Sequence, residues 1–266
     1  MQNLRLFAAA VLIAGAAACA TTPPVRDARE WEAYRGLLVP RPLVPFQAAG
    51  SALIDYRGER ESGNIQLEGT AEQDFLLRLS ARIIGTTALE LHFNERAMLV
   101  LDYSAETYFA GENSAQNRLR LFSIDMTPAE FLTTLTGRVP REAFERGGGT
   151  LNGGSTAEYR ADGATYRFTL GADGLPTGWT KEAGGTTVFR VEYRAYMRAE
   201  TAGAELRVPR KIRVYVDEAR PRLVLGIREF RPWRDNERRI EFAVDPGSGL
   251  RFQPLDGDGG IPPAAR

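Results

Sequence analysis

Hydrophobic and polar residues alternate with a period of two over residues 49–109. The alternation is carried by five runs, which polar or glycine-containing turns separate: residues 51–56, 63–68, 75–80, 87–93 and 97–103. A period of two over runs of this length is typical of antiparallel strands with one apolar face. Such a face must be covered by a second sheet, by helices or by a ligand. What covers it therefore decides what the protein does.

The second half of the chain returns to the same half-buried strand pattern. Strands are predicted over residues 156–160, 165–170, 177–182, 186–195, 206–216, 222–230 and 239–242. Three hairpin signals separate some of them: Asp162-Gly163, Asp173-Gly174 and Gly184-Gly185. Because both halves show the same pattern, we predict one continuous sheet. Residues 245–266 are rich in Gly and Pro and are expected to form a loose tail.

Residues 127–137 carry the clearest helix signal. Thr127 is a suitable N-cap, Pro128 suits the first helical position, and Glu130 completes a capping box. Gly137 is expected to end the helix. The apolar face of this helix consists of Phe131, Leu132 and Leu135.

Shorter helices are predicted over residues 25–36, 114–122 and 141–146. In the first, Trp31 and Tyr34 share one side and are expected to pack on the outside of the sheet. The alternative is that they anchor the chain at a membrane interface, where Trp and Tyr are favoured. In the second, we expect Leu119 and Phe122 to face the sheet.

The apolar face of the sheet and the main helix are the candidate binding surface. Its predicted residues are Ile54, Ile65, Leu67, Leu77, Leu89, Leu91, Leu99 and Leu101 from the strands, with Phe131 and Leu135 from the helix. If the helices fill this face, it is a packed core and the protein is a scaffold. If they stand off, a gap of about 300–1,000 Å³ could accept acyl chains. Small residues at Ala52, Gly63 and Ala97 favour the gap.

The turn at residues 81–86 is unusual because it carries two adjacent β-branched aliphatic residues, Ile83 and Ile84, before Gly85. Turns usually carry polar residues, Gly or Pro. Adjacent residues of an extended chain point in opposite directions, so one isoleucine is expected to protrude. In the alternative, the strand simply continues through Ile83.

Composition narrows the classes of function. The chain carries 34 basic and 34 acidic residues, and this balance argues against a nucleic-acid binder. It has one cysteine and one histidine, which leaves little for a metal site or for a catalytic triad. The histidine, His92, falls with Ala88 and Glu90 on the polar face of its strand and is expected to be a solvated surface residue. We therefore predict no catalytic residue, metal or cofactor, and no enzyme activity.

The N-terminus has the features of a signal peptide: Arg5, a short apolar segment at 6–18, and small residues before Cys19. The lone cysteine at the cleavage point resembles the lipobox of bacterial lipoproteins, although Ala16 stands where leucine is usual. The resemblance implies that Cys19 carries acyl chains, and Ala20 after it implies the outer membrane. Ordinary secretion with an Ala-x-Ala cut is the alternative.

Two further segments resemble the LolA/LolB-like outer-membrane lipoprotein family. The first is Arg78-Leu79 followed by residues 84–91, and the second is residues 119–140 with Met126 to Leu132, Leu135 and Gly137-Arg138-Val139-Pro140. The family has Pro-Leu-Gly in the loop where this chain has Ile83-Ile84-Gly85. The resemblance implies a mainly β (α+β) fold, in which a strongly curved antiparallel half-barrel sheet is covered by a few short helices. In the receptors of this family, the aliphatic loop residue that Ile84 matches promotes transfer into the membrane.

These observations predict four segments: a signal peptide at 1–18, an anchor, tether and short helix at 19–47, one half-barrel domain at 48–244, and a flexible tail at 245–266. The expected protein is a monomeric outer-membrane lipoprotein whose domain lies in the periplasm. It would bind acyl chains of lipids or lipoproteins and assist their insertion, and a periplasmic lipoprotein carrier is a candidate partner. The alternative is an anchored structural or assembly lipoprotein that holds a protein partner and carries no lipid.

Overall fold

The computed structural model describes residues 28–38, 45–70, 74–80, 86–201, 204–232 and 240–256, which form one 14-stranded sheet and four short helices. The strands are β1 (Phe46–Tyr56), β2 (Glu59–Gly69), β3 (Phe75–Ser80), β4 (Thr87–Phe93), β5 (Ala97–Asp102), β6 (Thr107–Glu112), β7 (Thr150–Asn152), β8 (Thr156–Ala161), β9 (Ala164–Leu170), β10 (Pro176–Ala183), β11 (Thr186–Thr201), β12 (Ala204–Tyr215), β13 (Pro221–Pro232) and β14 (Arg251–Pro254). The helices are α1 (Ala28–Leu37), α2 (Ala115–Phe122), α3 (Pro128–Thr136) and α4 (Arg141–Arg146).

The strands lie in the order β14-β6-β5-β4-β3-β2-β1-β13-β12-β11-β10-β9-β8-β7. Neighbours are antiparallel except β14, which pairs with β6 in parallel. Both halves of the chain share one sheet because β1 pairs with β2 on one side and with β13 on the other. The sheet is curved and does not close on itself, so the fold is the mainly β half-barrel that the sequence analysis predicts.

The helices contribute buried residues to one hydrophobic core on one face of the sheet, which we call the inner face. The helix α3 is built as its sequence predicts. The side chain of Thr127 accepts a hydrogen bond from the Glu130 backbone at 3.2 Å, and the Glu130 carboxylate accepts one from the Thr127 backbone at 2.7 Å. Gly137 ends the helix with φ 67°, a left-handed conformation that costs glycine little. Phe131, Leu132 and Leu135 are buried against the sheet.

The helix α1, which belongs to the predicted segment 19–47 of anchor, tether and short helix, packs into the core. Tyr34 is buried, its ring meets Phe144 edge-on at 6.3 Å, and its hydroxyl donates a hydrogen bond to Glu145 at 2.8 Å. Tyr34 therefore contributes to the inner core, and neither predicted location, the outside of the sheet or a membrane interface, is correct.

The helix α2 turns a different side to the sheet than predicted. Leu121 and Asn117 are its buried residues, whereas Leu119 is 50% exposed. Phe122 packs against the core, as expected, and its ring lies 5.8 Å from that of Tyr56.

The opposite face of the sheet, the outer face, is also buried along β3, β4 and β5. Leu99 pairs with His92, and Leu101 pairs with Glu90, so both leucines lie on the outer face and not with Ile54 and Leu77. The prediction for Leu99 and Leu101 is therefore wrong. Residues 98–101 are all apolar, and a continuous apolar run has no alternation from which to predict which side chains face inward.

Residues 240–256 run back to the first half of the sheet. Ile240 is buried outside the main core, the Phe242 ring lies 5.9 Å from the His92 ring, and Leu255 is 2% exposed within the core. The strand β14 then extends the sheet beside β6. Residues 245–256 thus differ from the expected loose tail, because they are part of the folded domain.

Candidate functional site

On the inner face of the first half of the sheet, residues directly opposite each other on neighbouring strands form rows that run across the strands. One row consists of Phe75, Phe93, Met98 and Gly111, and the next consists of Leu67, Leu77, Leu91, Val100 and Phe109. Both rows are apolar, so this part of the inner face presents no hydrogen-bonding side chain to whatever covers it.

An apolar pocket with a volume of about 90 Å³ remains between these rows and the helices. Its sheet wall consists of Ile54, Leu77, Leu89, Leu91, Phe93, Met98 and Leu223. The facing wall consists of Phe131 from α3 with Asn113, Arg118, Phe122, Ile124 and Met126 from α2 and its flanking residues. The pocket is therefore an apolar space bounded on one side by a rigid sheet and on the other by a short helix.

Polar contacts hold α2 in place. Ser114 caps its N-terminus by accepting a hydrogen bond from the Asn117 backbone at 3.2 Å. The Arg118 guanidinium donates to Asp125 at 2.7 Å and to the carbonyl oxygen of Asn113. The Asn117 side chain donates to Asp256 at 2.8 Å, which connects α2 to the C-terminal segment. These bonds, together with the buried Leu121, fix the facing wall of the pocket.

The predicted binding residues divide into three groups. Ile54, Leu77, Leu89, Leu91 and Phe131 line the apolar pocket. Ile65, Leu67 and Leu135 are buried in the inner core without lining it. Leu99 and Leu101 lie on the outer face, and Cys19, Ile83 and Ile84 lie outside the described residues.

Sequence reasoning missed the wall residues Phe93, Met98, Asn113, Arg118, Phe122, Ile124, Met126 and Leu223 as pocket residues. Met98 would have been predicted if Met98 and Val100, and not Leu99 and Leu101, had been assigned to the inner face of β5. Leu223 lies on β13, whose pairing with β1 across the length of the chain leaves no local signal.

The small residues expected to leave room do not create the pocket. A Cβ atom on Gly63 would lie 2.2 Å from the carbonyl oxygen of Ser80, so this glycine permits close approach of β2 and β3. Ala97 lies on the outer face with Leu99. The pocket instead lies between the sheet and the segment that contributes Phe122, Ile124 and Met126 to its facing wall.

The second half of the inner face is filled by aromatic side chains. Tyr159 and Tyr166 stack at 4.8 Å, Phe168 and Trp179 stack at 5.6 Å, and Trp179 meets Phe189 edge-on at 5.1 Å. This part of the face is a close-packed core.

Two hydrogen-bonded groups join that core to α3. Tyr166 donates to Glu130 at 2.7 Å, and burial together with the nearby Glu130 carboxylate raises the pKa of Tyr166. Tyr193 donates to the carbonyl oxygen of Thr133 at 3.0 Å, and burial raises its pKa also. Both tyrosines are therefore structural hydrogen-bond donors at neutral pH.

His92 is buried and not solvated, contrary to prediction. It is 5% exposed on the outer face, and its Nε2 lies 2.6 Å from Oε1 of Glu90. Burial raises the pKa of Glu90, but hydrogen bonds from His92 and Arg78 outweigh it and hold the pKa below its usual value.

The described residues contain no group of three or more His, Cys, Asp or Glu that could hold a metal ion. Within the same residues, no helix has both the length and the apolar character needed to cross a membrane.

Comparison with known proteins gives structural neighbours but no close relative. The sequence matches no family model and no curated protein. A LolA superfamily protein from Nitrosomonas europaea has 12% identity and a TM-score of 0.46, with 77% of this chain and 92% of that chain covered. A putative outer membrane lipoprotein-sorting protein domain from Vibrio parahaemolyticus has 8% identity and a TM-score of 0.47, with 83% and 94% covered.

Proposed function

We propose that the protein binds acyl chains of lipids or lipoproteins in the apolar pocket and assists their insertion into the outer membrane. In this proposal it acts as a monomeric lipoprotein that is anchored through Cys19 and receives its cargo from a periplasmic carrier. The single observation that supports binding is the apolar space left between the sheet and α2. The role is one of binding and release, without a chemical step on the cargo.

The pocket is too small to hold a whole acyl chain without a change in the protein. An apolar cavity of about 150 Å³ accepts benzene, so about 90 Å³ accepts only part of an acyl chain. The strands that line the pocket are each hydrogen-bonded to a neighbour on both sides, whereas α2 is one short helix. We therefore expect α2 to move outward when a chain binds, which breaks polar contacts such as that between Asn117 and Asp256.

A second function is supported by the other half of the inner face. The aromatic core over β8 to β11 is filled by the protein's own side chains, as a scaffold would require. In this alternative, the protein is an anchored structural or assembly lipoprotein that holds a protein partner and carries no lipid.

Titration with a fluorescent fatty-acid probe separates the two functions. The full chain with Cys19→Ser is used, so that no acyl anchor of its own competes for the pocket. We expect saturable binding, and we expect Leu91→Trp to weaken it because the indole fills the space beside the half-buried Leu91. Leu151→Trp is the matched control, since Leu151 packs against the core without lining the pocket. A folded protein that binds no probe would leave only the scaffold function.

A further inference from the structure

The inner face changes from apolar to polar at one end of the half-barrel. The row that follows the two apolar rows consists of Leu79, Leu89, Asp102, Thr107 and Arg251, each directly opposite the next across β3, β4, β5, β6 and β14. It begins with leucines and ends with charged and hydroxyl side chains. A ligand lying along the inner face would therefore meet an apolar surface first and a polar surface next.

A cleft with a volume of about 480 Å³ opens over this row, and we call it the polar cleft. Its sides come from the β1–β2 hairpin and from the turn between β5 and β6. Leu89 lines both the polar cleft and the apolar pocket, so the two spaces share a wall. The volume lies within the range of about 300–1,000 Å³ that small-molecule sites usually have.

One charge pair in the polar cleft is built into the fold. The Arg57 guanidinium lies 3.9 Å from the Asp102 carboxylate, and their side chains are 11% and 6% exposed. Arg57 also lies over the Phe109 ring at 5.3 Å, and its φ of 50° is rare for a residue other than glycine. Arg57 and Asp102 therefore balance each other and form the fixed floor of the cleft.

The remaining charges in the cleft are exposed and of both signs. Arg251 stands on β14, while Glu59 and Glu61 stand on β2 with their side chains on the inner face, opposite Tyr56 and Ile54. In the part of the chain that the structure describes, none of the three forms an ion pair. Counted over the described residues alone, the cleft thus offers one cation and two carboxylates that are not ion-paired.

A buried hydroxyl lies beside this charge pair. Tyr56 is 6% exposed and lines the polar cleft, and its hydroxyl oxygen is covered by the protein. Burial and the neighbouring Asp102 carboxylate raise the pKa of Tyr56, so the hydroxyl keeps its proton. Tyr56 therefore belongs with Arg57 and Asp102 to the floor of the cleft.

From this arrangement we propose that the polar cleft binds the headgroup of a zwitterionic amphiphile that carries a phosphate and an ammonium group. The phosphate contacts Arg251, and the ammonium contacts Glu59 and Glu61. The chain of the same molecule passes Leu89 into the apolar pocket. This inference rests on the proposed function, since it assigns the class of lipid that the pocket receives.

Four amphiphiles with the same dodecyl chain test the inference on the full chain carrying Cys19→Ser. They are dodecylphosphocholine, dodecyl sulfate, dodecyltrimethylammonium and dodecyl maltoside, each titrated below its micelle concentration, with phosphocholine as the headgroup without a chain. We expect dodecylphosphocholine to bind about tenfold more tightly than the other three, since it alone can contact both signs of exposed charge. Phosphocholine should bind far more weakly than the amphiphile.

Variants of the exposed charges locate the contact. Arg251→Gln and Glu61→Gln should each weaken the binding of dodecylphosphocholine about fivefold and leave that of dodecyl maltoside unchanged. The matched controls are Arg96→Gln and Glu95→Gln, which change exposed residues in the β4–β5 turn at the opposite end of the strands. They should leave the binding of every probe unchanged. Far-UV circular dichroism of each variant verifies that it is folded.

Three outcomes would overturn the inference and they are distinguishable. Equal binding of all four amphiphiles would remove the headgroup site while the proposed function stands. Binding of none of them would remove the proposed function, and the headgroup site with it. Equally tight binding of phosphocholine alone would show that the cleft accepts a small solute independently of the apolar pocket.

Discussion

Oε1 of Glu130 lies 2.9 Å from Nζ of Lys181, and this ion pair ties the first turn of α3 to β10. The two side chains are 7% and 12% exposed, so neither charge is well solvated. Glu130 also accepts hydrogen bonds from Tyr166 and from the Thr127 backbone. One carboxylate thus joins the cap of a helix to the filled half of the inner face.

Replacing Glu130 should lower the free energy of unfolding by about 3 kcal/mol or more, because Glu130→Ala leaves the charge of Lys181 buried without a partner. Urea unfolding measures the loss. Glu32→Ala is the control, since Glu32 and Arg35 form an ion pair at 3.6 Å with both side chains exposed, and it should cost less than about 1 kcal/mol. Equal losses in the two variants would contradict the structural role of Glu130.

The Glu90 carboxylate predicts a pH dependence of stability. Its pKa is held below the usual value in the folded protein, so the unfolded chain binds its proton more readily. The stabilisation is present above the unfolded pKa of about 4.3 and is lost as pH falls through the folded pKa. We expect the difference in stability between wild type and Glu90→Gln to shrink as urea titrations move from pH 7 towards pH 3. A difference that grows with acidification would show the opposite sign.

The C-terminal segment should contribute to stability as part of the core. Leu255 is 2% exposed, and Leu255→Ala should cost about 2–4 kcal/mol, the usual cost of removing a buried leucine. Phe252, three residues earlier on β14, is 55% exposed, and Phe252→Ala should cost much less. Thermal and urea unfolding of the two variants measure the contrast, and similar small effects would indicate that the segment is loosely attached.

Metabolic labelling with radioactive palmitate tests the anchor. The chain should incorporate label, and Cys19→Ala should abolish it because the acylated thiol is removed. Thr21→Ala, a change in the same segment that keeps the thiol, should label normally. Label that persists in Cys19→Ala would rule out acylation at this position.

The aliphatic loop should matter for delivery and not for binding. Ile84→Glu places a charge where the family resemblance assigns an apolar tip, so the variant should bind the fluorescent fatty-acid probe normally but transfer it to liposomes slowly. Thr86→Glu is the control, because Thr86 is exposed in the same connection and carries no apolar tip. Transfer that is equally fast in both variants would remove the loop from the mechanism.

The parts of the fold that local chemistry determines were predictable from the sequence. The cap of α3 follows from Thr127, Pro128 and Glu130 within one turn, and the alternation in β1 to β4 gives the correct inward face at Ile54, Leu77 and Leu89. These signals need no knowledge of distant residues.

The remaining features depend on partners far away in the chain. Which residues of β5 face inward is decided by its pairing with β4, and on the other face the distant Phe242 lies beside His92. β14 is short and lies in a Gly- and Pro-rich segment, and its parallel pairing with β6 carries no hairpin signal. The side of α2 that faces the sheet could not be predicted, because rotation of the helix about its axis decides whether Leu119 or Leu121 is buried.

The pairing of β1 with β13 governs how the chain can fold. Ala52 and Leu225 are directly opposite each other, although most of the chain lies between them. Contacts of such long sequence separation pay a large loop-closure entropy before they stabilise anything, and they slow folding. During synthesis, β1 emerges long before β13 and keeps one unpaired edge until nearly the whole polypeptide has been made. A translation product that stops short of β13 would therefore expose that edge to self-association.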